Sequence, residues 1–408
     1  MNIWWINHHA RPPVVPGGTR HYNLAKELKK LGHRTTVING TFDHLGPLSN
    51  KGDATYSGWR PLKKTYDGVP FFSVPTPRYS GNASFGRIWN MVVFTVKTVK
   101  IFGWAPPAEK PDVIVGSTVH PLAAFAGLIL SRIHRVPFVY EVRDLWPLTL
   151  VELGKISPRH PAVAFFGLLD RVLARSASTI LITAPLMYKY YQERYSLPKD
   201  RFLWVTNGSD LSFSERTTLS KGKPSIMQIG YSGTLGEANG VFELIKALNN
   251  TPEEILRAFQ LHIIGDGPQK DRIKRAAAIS RFNVVFHDPV PKMLLSEKLS
   301  RFDLLLVILQ SSPIYRYGIS LNKLADYHKA GKPIVMVGKC AANPLDLSHA
   351  GFKVESLEEL PLLLRKVCAT PASELARMGG NGRVYAEKNY EWSSLAEKLE
   401  KRLTEITR

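Results

Sequence analysis

The sequence predicts an α/β protein built from two doubly wound, Rossmann-like domains with parallel sheets that face each other across a cleft. Three observations predict it. Short apolar runs alternate with segments of helical period along most of the chain. That alternation happens twice, on either side of a polar run, Ser212 to Lys223, that has no hydrophobic period. The chain has 408 residues, enough for two domains of ordinary size. The expected boundaries are a first domain over 1–210, a linker over 211–224, a second domain over 225–388, and a C-terminal helix over 389–408 that packs back on the first domain.

In the first half, Asn2 to Asn7 reads as a buried strand, Thr19 to Leu31 as a helix closed by Gly32, and Arg34 to Ile38 as the next strand. This β-α-β opening lacks Gly-x-Gly-x-x-Gly, and Asn39 stands where a ribose-binding acid would follow, which argues against a nicotinamide cofactor. Gly17-Gly18 lets a backbone approach a phosphate at the helix start, or is a plain turn. Residues 40–84 are rich in Gly, Pro, Ser and Tyr without periodicity and read as a long substrate-facing loop. Phe85 to Trp104 is nearly all apolar but carries Arg87, Lys97 and Lys100. It reads either as a core helix over the sheet or as a helix lying at a membrane surface, and both hold if one face packs inward.

Asp112 to Gly116 is the next strand, and it delivers His120 to the carboxyl edge where open α/β sheets bind ligands. Pro137 to Glu141 follows and brings Glu141, Arg143, Asp144 and Trp146 to the same edge. That cluster is either a polyhydroxyl-binding set or an internal ion-pair network. A helix over Pro161–Ser176, a strand over Thr179–Thr183 and a helix over Pro185–Tyr195 complete the unit.

Composition narrows the partners. Apolar content of 44% and charged content of 22% are those of a globular protein. Net charge is +20, and residues 1–110 hold half the excess with 15 basic and 5 acidic side chains. Such a field calls for an anionic partner: nucleic acid, lipid headgroups or a phosphorylated substrate. No recognition helix, zinc spacing or RNP-like aromatic motif favours nucleic acid. Cys340 and Cys368 stand alone and suit a reducing cytosol. The start, Met1-Asn-Ile-Trp-Trp-Ile, reads as a strand rather than a signal peptide, and no apolar run is long enough to span a bilayer.

In the second half, strands are expected at Ser225–Tyr231, Gln260–Ile264, Val284–His287, Leu304–Leu309 and Ile334–Val337, with helices near 239–249, 268–279, 291–301, 320–330 and 357–368. Small residues crowd the turns after the first two strands: Gly233 and Thr234, then Asp266 and Gly267. Ser320 is the expected N-cap of the helix that ends at Gly331 and Pro333. On that helix Leu321, Leu324, Ala325 and His328 share the inward face, and Lys323 and Asp326 sit three apart on a neighbouring one. At about 1.5 Å rise per residue the carboxylate lies about 4–5 Å deeper than the ammonium. Backbone N–H groups, a cation in the first turn and a carboxylate one turn deeper suit a nucleoside diphosphate; taken alone, the pair is equally a solvated i, i+3 ion pair.

Tyr231-Ser-Gly-Thr-Leu-Gly, Ile263-Ile-Gly-Asp-Gly-Pro and Gly318-Ile-Ser-Leu-Asn-Lys-Leu-Ala-Asp-Tyr-His-Lys-Ala-Gly-Lys-Pro, in that order, resemble the family 4 glycosyltransferases of the GT-B fold. Gly32-His33, Val115-Gly-Ser-Thr-Val-His-Pro, Glu141-Val-Arg-Asp-Leu-Trp-Pro and Asn207-Gly-Ser-Asp agree. The nearest flavour is the L-fucosamine-transferase-like subgroup of bacterial O-antigen and capsule assembly. The resemblance implies retaining transfer from a nucleoside-diphospho-sugar, UDP-linked and with an N-acetylated amino sugar among the options, without metal or other cofactor.

By position it places Asp326 on the ribose, the amides near Ile319 and Ser320 on the diphosphate, His120 beside the transferred sugar as the catalytic candidate, and Gly17-Gly18 near the phosphates. Gly233, Thr234, Asp266, Gly267 and Lys323 complete the expected donor site, and Glu141, Arg143, Asp144 and Trp146 the acceptor site. Two departures stand out. Gly318 occupies the place of a sugar-facing Glu, and Thr234 and Asn239 occupy the places of an Arg and a Lys that pair with the diphosphate, which leaves Lys323 to supply the charge.

The expected partners are a nucleotide-sugar donor, a polyprenyl-diphosphate-linked sugar acceptor and an anionic membrane surface, with no nucleic acid, at the cytoplasmic side of the plasma membrane. The same fold also serves nucleotide-sugar 2-epimerases, for which Glu141 and Asp144 would be the acid–base carboxylates.

Overall fold

The computed structural model describes residues 1–15, 18–43, 46–47, 58–80, 84–104, 106, 108–152, 156–209, 224–290 and 292–408. The chain divides into two compact units, Met1–Thr206 with Trp392–Arg408, and Asn207–Glu391. The expected 1–210 and 389–408 segments therefore shift by a few residues, and Asn207 and Ser209 pass to the second unit. Residues 211–223 of the expected linker lie outside the described residues.

The first unit runs β1 (Asn2–Ile6), α1 (Arg20–Lys30), β2 (Arg34–Gly40), β3 (Leu62–Tyr66), β4 (Val69–Val74), α2 (Phe85–Trp104), β5 (Val113–Ser117), α3 (Pro121–His134), β6 (Phe138–Val142), α4 (Pro161–Ser176), β7 (Thr179–Ile182), α5 (Met187–Tyr195) and β8 (Phe202–Trp204). These strands form one sheet in the order β8-β7-β6-β5-β1-β2-β4-β3, parallel except for the β3–β4 hairpin. Period two along β1 sends Ile3 and Trp5 to one face and Trp4 and Ile6 to the other, all fully buried. On the first face α1 packs with a helix from the far end of the chain; on the second, α2, α3 and α4 form a layer.

The reading of 40–84 as a loop is corrected here. Val69–Val74 is a buried strand pairing with β2, and Asp67 and Gly68, both at positive φ, turn the chain into it. Helix α2 covers the sheet with one face only. Asn90, Met91, Phe94, Thr95, Thr98 and Phe102 pack inward, while Phe85, Ile88, Trp89, Val96 and Trp104 are exposed. No described helix is long and apolar enough to cross a membrane.

The second unit runs β9 (Met227–Ser232), α6 (Val241–Leu248), β10 (Phe259–Ile264), α7 (Lys270–Ala278), β11 (Val284–His287), α8 (Lys292–Ser300), β12 (Leu304–Ile308), α9 (Asn322–Ala330), β13 (Ile334–Val337), β14 (Gly351–Val354), α10 (Leu360–Ala369) and α11 (Ala372–Asn389). Its sheet is entirely parallel, in the order β11-β10-β9-β12-β13-β14. Two apolar clusters cover its faces, one around Ile229, Tyr231, Leu244 and Leu261 and the other around Leu305, Leu324, Tyr327 and Met336. The edge strand β14 and helix α11 were not anticipated.

The last helix, α12 (Trp392–Thr407), belongs to the first unit. Its Trp392, Leu395, Ala396, Leu399 and Leu403 join Ile3, Trp5, Leu24 and Leu28 in one core, and Glu400 lies 3.4 Å from the His33 ring.

Candidate active site

In the second unit the candidate site forms at the carboxyl ends of β9 and β10 and the start of α9. Gly233 donates its N–H to Ile264 O at 3.0 Å, and Leu235 donates to Asp266 O at 2.8 Å, so the two turns lie against each other. Closeness dictates glycine: a Cβ on Gly265 would stand 2.0 Å from Gly233 O, and one on Gly267 2.6 Å from Leu235 O, both at positive φ. Thr234 and Asp266 are exposed, and the Asp266 carboxylate accepts from Gly267 N–H at 2.8 Å.

Helix α9 is pinned by its buried side. Ser232 N–H donates to the Tyr327 hydroxyl at 2.7 Å, and the His328 ring spans Leu324 O at 2.8 Å and Ser348 Oγ at 3.1 Å. Gly331, at φ 65°, closes the helix as expected. The N-cap does not follow expectation. The helix begins at Asn322 with Leu321 as cap and no side-chain capping bond. Ser320 instead meets the incoming chain: Asn207 N–H points at its Oγ at 3.4 Å, and the Asn207 side-chain amide donates to its carbonyl at 3.1 Å.

Asp326 is buried and accepts from the Ser209 hydroxyl at 3.1 Å. Asn207 and Ser209, which the sequence reading left in the other domain, thus meet the start of α9; the signal was their place in Asn207-Gly-Ser-Asp. Ile319 sits in the core cluster that includes Ile264 and Leu324.

Lys323 is half-buried, 4.3 Å above the Tyr231 ring. Its ammonium donates to the Tyr231 hydroxyl at 3.1 Å and to Asn239 Oδ1 at 3.2 Å, and it makes no ion pair among the described residues. Burial lowers its pKa to about 8. A cation held only by neutral oxygens beside a glycine turn is arranged for an anion that arrives from solution. Gly318 is at φ 87°, ψ −178°, a conformation that disfavours the Glu expected from the resemblance.

In the first unit the carboxyl ends of β1, β5 and β6 gather the other candidates. His120, the catalytic candidate, is fully buried and caps the start of α3. Its Nδ1 accepts from Ala123 N–H at 3.2 Å, and its Nε2 lies 2.8 Å from His8 Nδ1. Burial, with the Arg87 charge, pushes its pKa down to about 3. The His8 ring stacks on Phe94 at 4.1 Å.

Glu141 forms the internal ion-pair network that its position at this edge left open as one of two readings. It is fully buried, with Arg20 Nε 2.8 Å from Oε1 and with Trp5 Nε1 and His21 Nε2 each 3.1 Å from Oε2. Burial opposes its charge, but Arg20, then His21 and Arg143, hold the carboxyl well below the usual range. Trp146 is buried against Phe166, at 5.0 Å between ring centroids. Arg143 and Asp144 do reach the surface. Gly18 is exposed just before α1; Gly17 lies outside the described residues.

Residues 17–208 match the family described as glycosyl transferase 4-like domain. No curated protein sequence matches the chain. Among solved structures it is similar to Anabaena HepE in complex with UDP-glucose, at 16% identity over 100% of both chains and a TM-score of 0.65. It is similar to WaaG, a glycosyltransferase involved in lipopolysaccharide biosynthesis, at 16% identity over 99% of this chain and 100% of that one, TM-score 0.67. A glycosyltransferase from Rickettsia africae aligns at 12% identity over 100% and 98% of the chains, TM-score 0.69. At such identities the structural likeness shows the fold, which is GT-B. A glycosyl transferase 4-like domain thus occupies residues 17–208, within a chain whose fold is GT-B.

Proposed function

We propose that the protein is a glycosyltransferase that moves a sugar, with retention, from a UDP-sugar to a saccharide carried on polyprenyl diphosphate, at the cytoplasmic side of an anionic membrane. Within cell-surface polysaccharide assembly, the resemblance leans to the L-fucosamine-transferase-like subgroup, with an N-acetylated amino sugar among the donor options. The observation that carries the donor assignment is the start of α9: Lys323 without a counter-ion among the described residues, beside the Gly233 turn, and Asp326 one turn deeper. UDP complexes of the structurally similar HepE support the choice of nucleotide.

On this reading the leaving diphosphate gains negative charge as the glycosidic bond breaks, and Lys323 stabilises that charge more in the transition state than in the ground state. Asp326 fixes the donor by accepting from ribose hydroxyls. No metal or cofactor enters the scheme. The epimerase reading loses ground because Glu141, one of its two carboxylates, is sealed in an ion-pair network.

A panel of UDP-, GDP- and dTDP-sugars, scored by calorimetric binding and by transfer or hydrolysis, tests the proposal. Binding and turnover of a UDP-sugar are expected. Absence of binding and turnover across the panel would remove the donor assignment.

A further inference from the structure

The layer formed by α2, α3 and α4 has an outer surface unlike that of an ordinary covering layer. Helix α4 buries Val163, Leu169, Leu173 and Ala174 inward, yet Phe165, Leu168 and Val172 are 54%, 63% and 40% exposed. Their i, i+3, i+7 spacing makes one stripe about 10 Å long on the solvent side. Helix α2 also turns apolar side chains to solvent, with Ile88, Trp89 and Val96 57%, 52% and 45% exposed along it and Phe85 and Trp104 exposed at its two ends, and Ile133 of α3 lies against Gly103 of α2. A surface helix normally turns polar side chains outward; these two are apolar on both faces.

Charge on the layer is one-sided. Segments 85–104, 121–135 and 156–176 contain eight Lys and Arg residues and one carboxylate, Asp170. That carboxylate is fully buried, accepting from the hydroxyls of Tyr140, Tyr191 and Tyr195 at 2.8, 3.0 and 2.9 Å. These helices therefore turn no acidic side chain to solvent. Lys97 and Lys100 each hold their ammonium 5.3 Å from the exposed Trp59 ring, so cation and aromatic surface are presented together.

We infer that the α2–α3–α4 face docks on an anionic phospholipid bilayer, with Phe165 and Leu168 of α4 forming a second apolar anchor beside the α2 stripe. Interfacial insertion needs shallow apolar wedges ringed by cations that meet lipid phosphates, which is the composition of this face. A second copy of the chain fits it poorly, because the same eight cations would oppose themselves. Nucleic acid has no use for exposed Leu and Val. The inference rests on the membrane-side acceptor proposed above and names the surface involved.

The test is sedimentation of the full chain with phosphatidylcholine vesicles, with and without phosphatidylglycerol, in the absence of any donor. Binding to the anionic vesicles, weakened by salt, is expected. Phe165→Ser with Leu168→Ser should lower the partition by on the order of tenfold to a hundredfold, with UDP binding and melting temperature unchanged. Wild-type chain that ignores anionic vesicles overturns the inference, as does an α4 double variant that binds like wild type while Trp104→Ser does not. A concentration-dependent dimer abolished by the α4 changes, without lipid binding, assigns the face to self-association instead. Vesicle binding without sugar turnover would leave this surface standing and remove only the enzymatic proposal.

Discussion

The Lys323 ammonium lies 3.2 Å from Oδ1 of Asn239, a residue 84 positions earlier in the chain. By family resemblance, position 239 is where a diphosphate-pairing lysine belongs. The charge missing from that turn is returned to the same spot from the first turn of α9, with the Tyr231 ring as its floor.

Lys323→Met is therefore expected to lower kcat/KM for the donor by on the order of 10². Adding Asn239→Lys to Lys323→Met should recover part of the loss. Steady-state kinetics decide the matter, and a single variant with unchanged kcat/KM would refute the role.

Burial sets the free Lys323 ammonium to about 8. Above that pH the unliganded site loses its proton, whereas a bound diphosphate retains it. Donor affinity should fall as pH rises from 8, by up to about tenfold per unit. Calorimetry in buffers of differing ionisation heat should show proton uptake on UDP binding. Uptake that persists in Lys323→Met would assign it to another group.

Asp326 is placed to read the ribose. Wild type should bind UDP more tightly than 2′-deoxy-UDP, and Asp326→Ala should weaken UDP and shrink that preference. Equal preferences in the two proteins would end the ribose assignment.

Glu141→Ala leaves Arg20 buried without its carboxylate, a loss of about 3–5 kcal/mol. Chemical denaturation should show it, while the folded variant keeps the wild-type KM for acceptor. A raised acceptor KM with full stability would return Glu141 to the acceptor site.

Asp170 has its pKa raised from 3.8 to about 6, burial outweighing three tyrosine hydrogen bonds. The folded state thus binds this proton more tightly than the unfolded chain. The resulting stability is fully present below about pH 4 and disappears as pH rises through 6, on the order of 3 kcal/mol. Melting curves should show this component in wild type and not in Asp170→Asn.

Periodicity made the second sheet legible nearly to the residue: β11 and β13 fall where expected, and β9, β10 and β12 shift at their ends. It failed at β4, because Pro70 and the Gly- and Ser-rich surroundings masked a strand that depends on pairing with β2. Position at a strand edge was also legible, but side-chain direction was not. Glu141 and His120 lie where ligands bind in such sheets, yet both point inward, the first held by Arg20 and the second by His8 and its own helix. Asn207 and Ser209 were missed because only tertiary folding brings them to Ser320 and Asp326.

Helix α12 closes the core of the first unit with Trp392, Leu395 and Leu399. During translation, residues 1–206 leave the ribosome long before that helix exists. Until then Ile3, Trp5, Leu24 and Leu28 lack their cover, so the first unit cannot finish folding in the order in which it is made. The second unit must be synthesised before the first can be completed, and the nascent chain carries an open apolar seam through that interval.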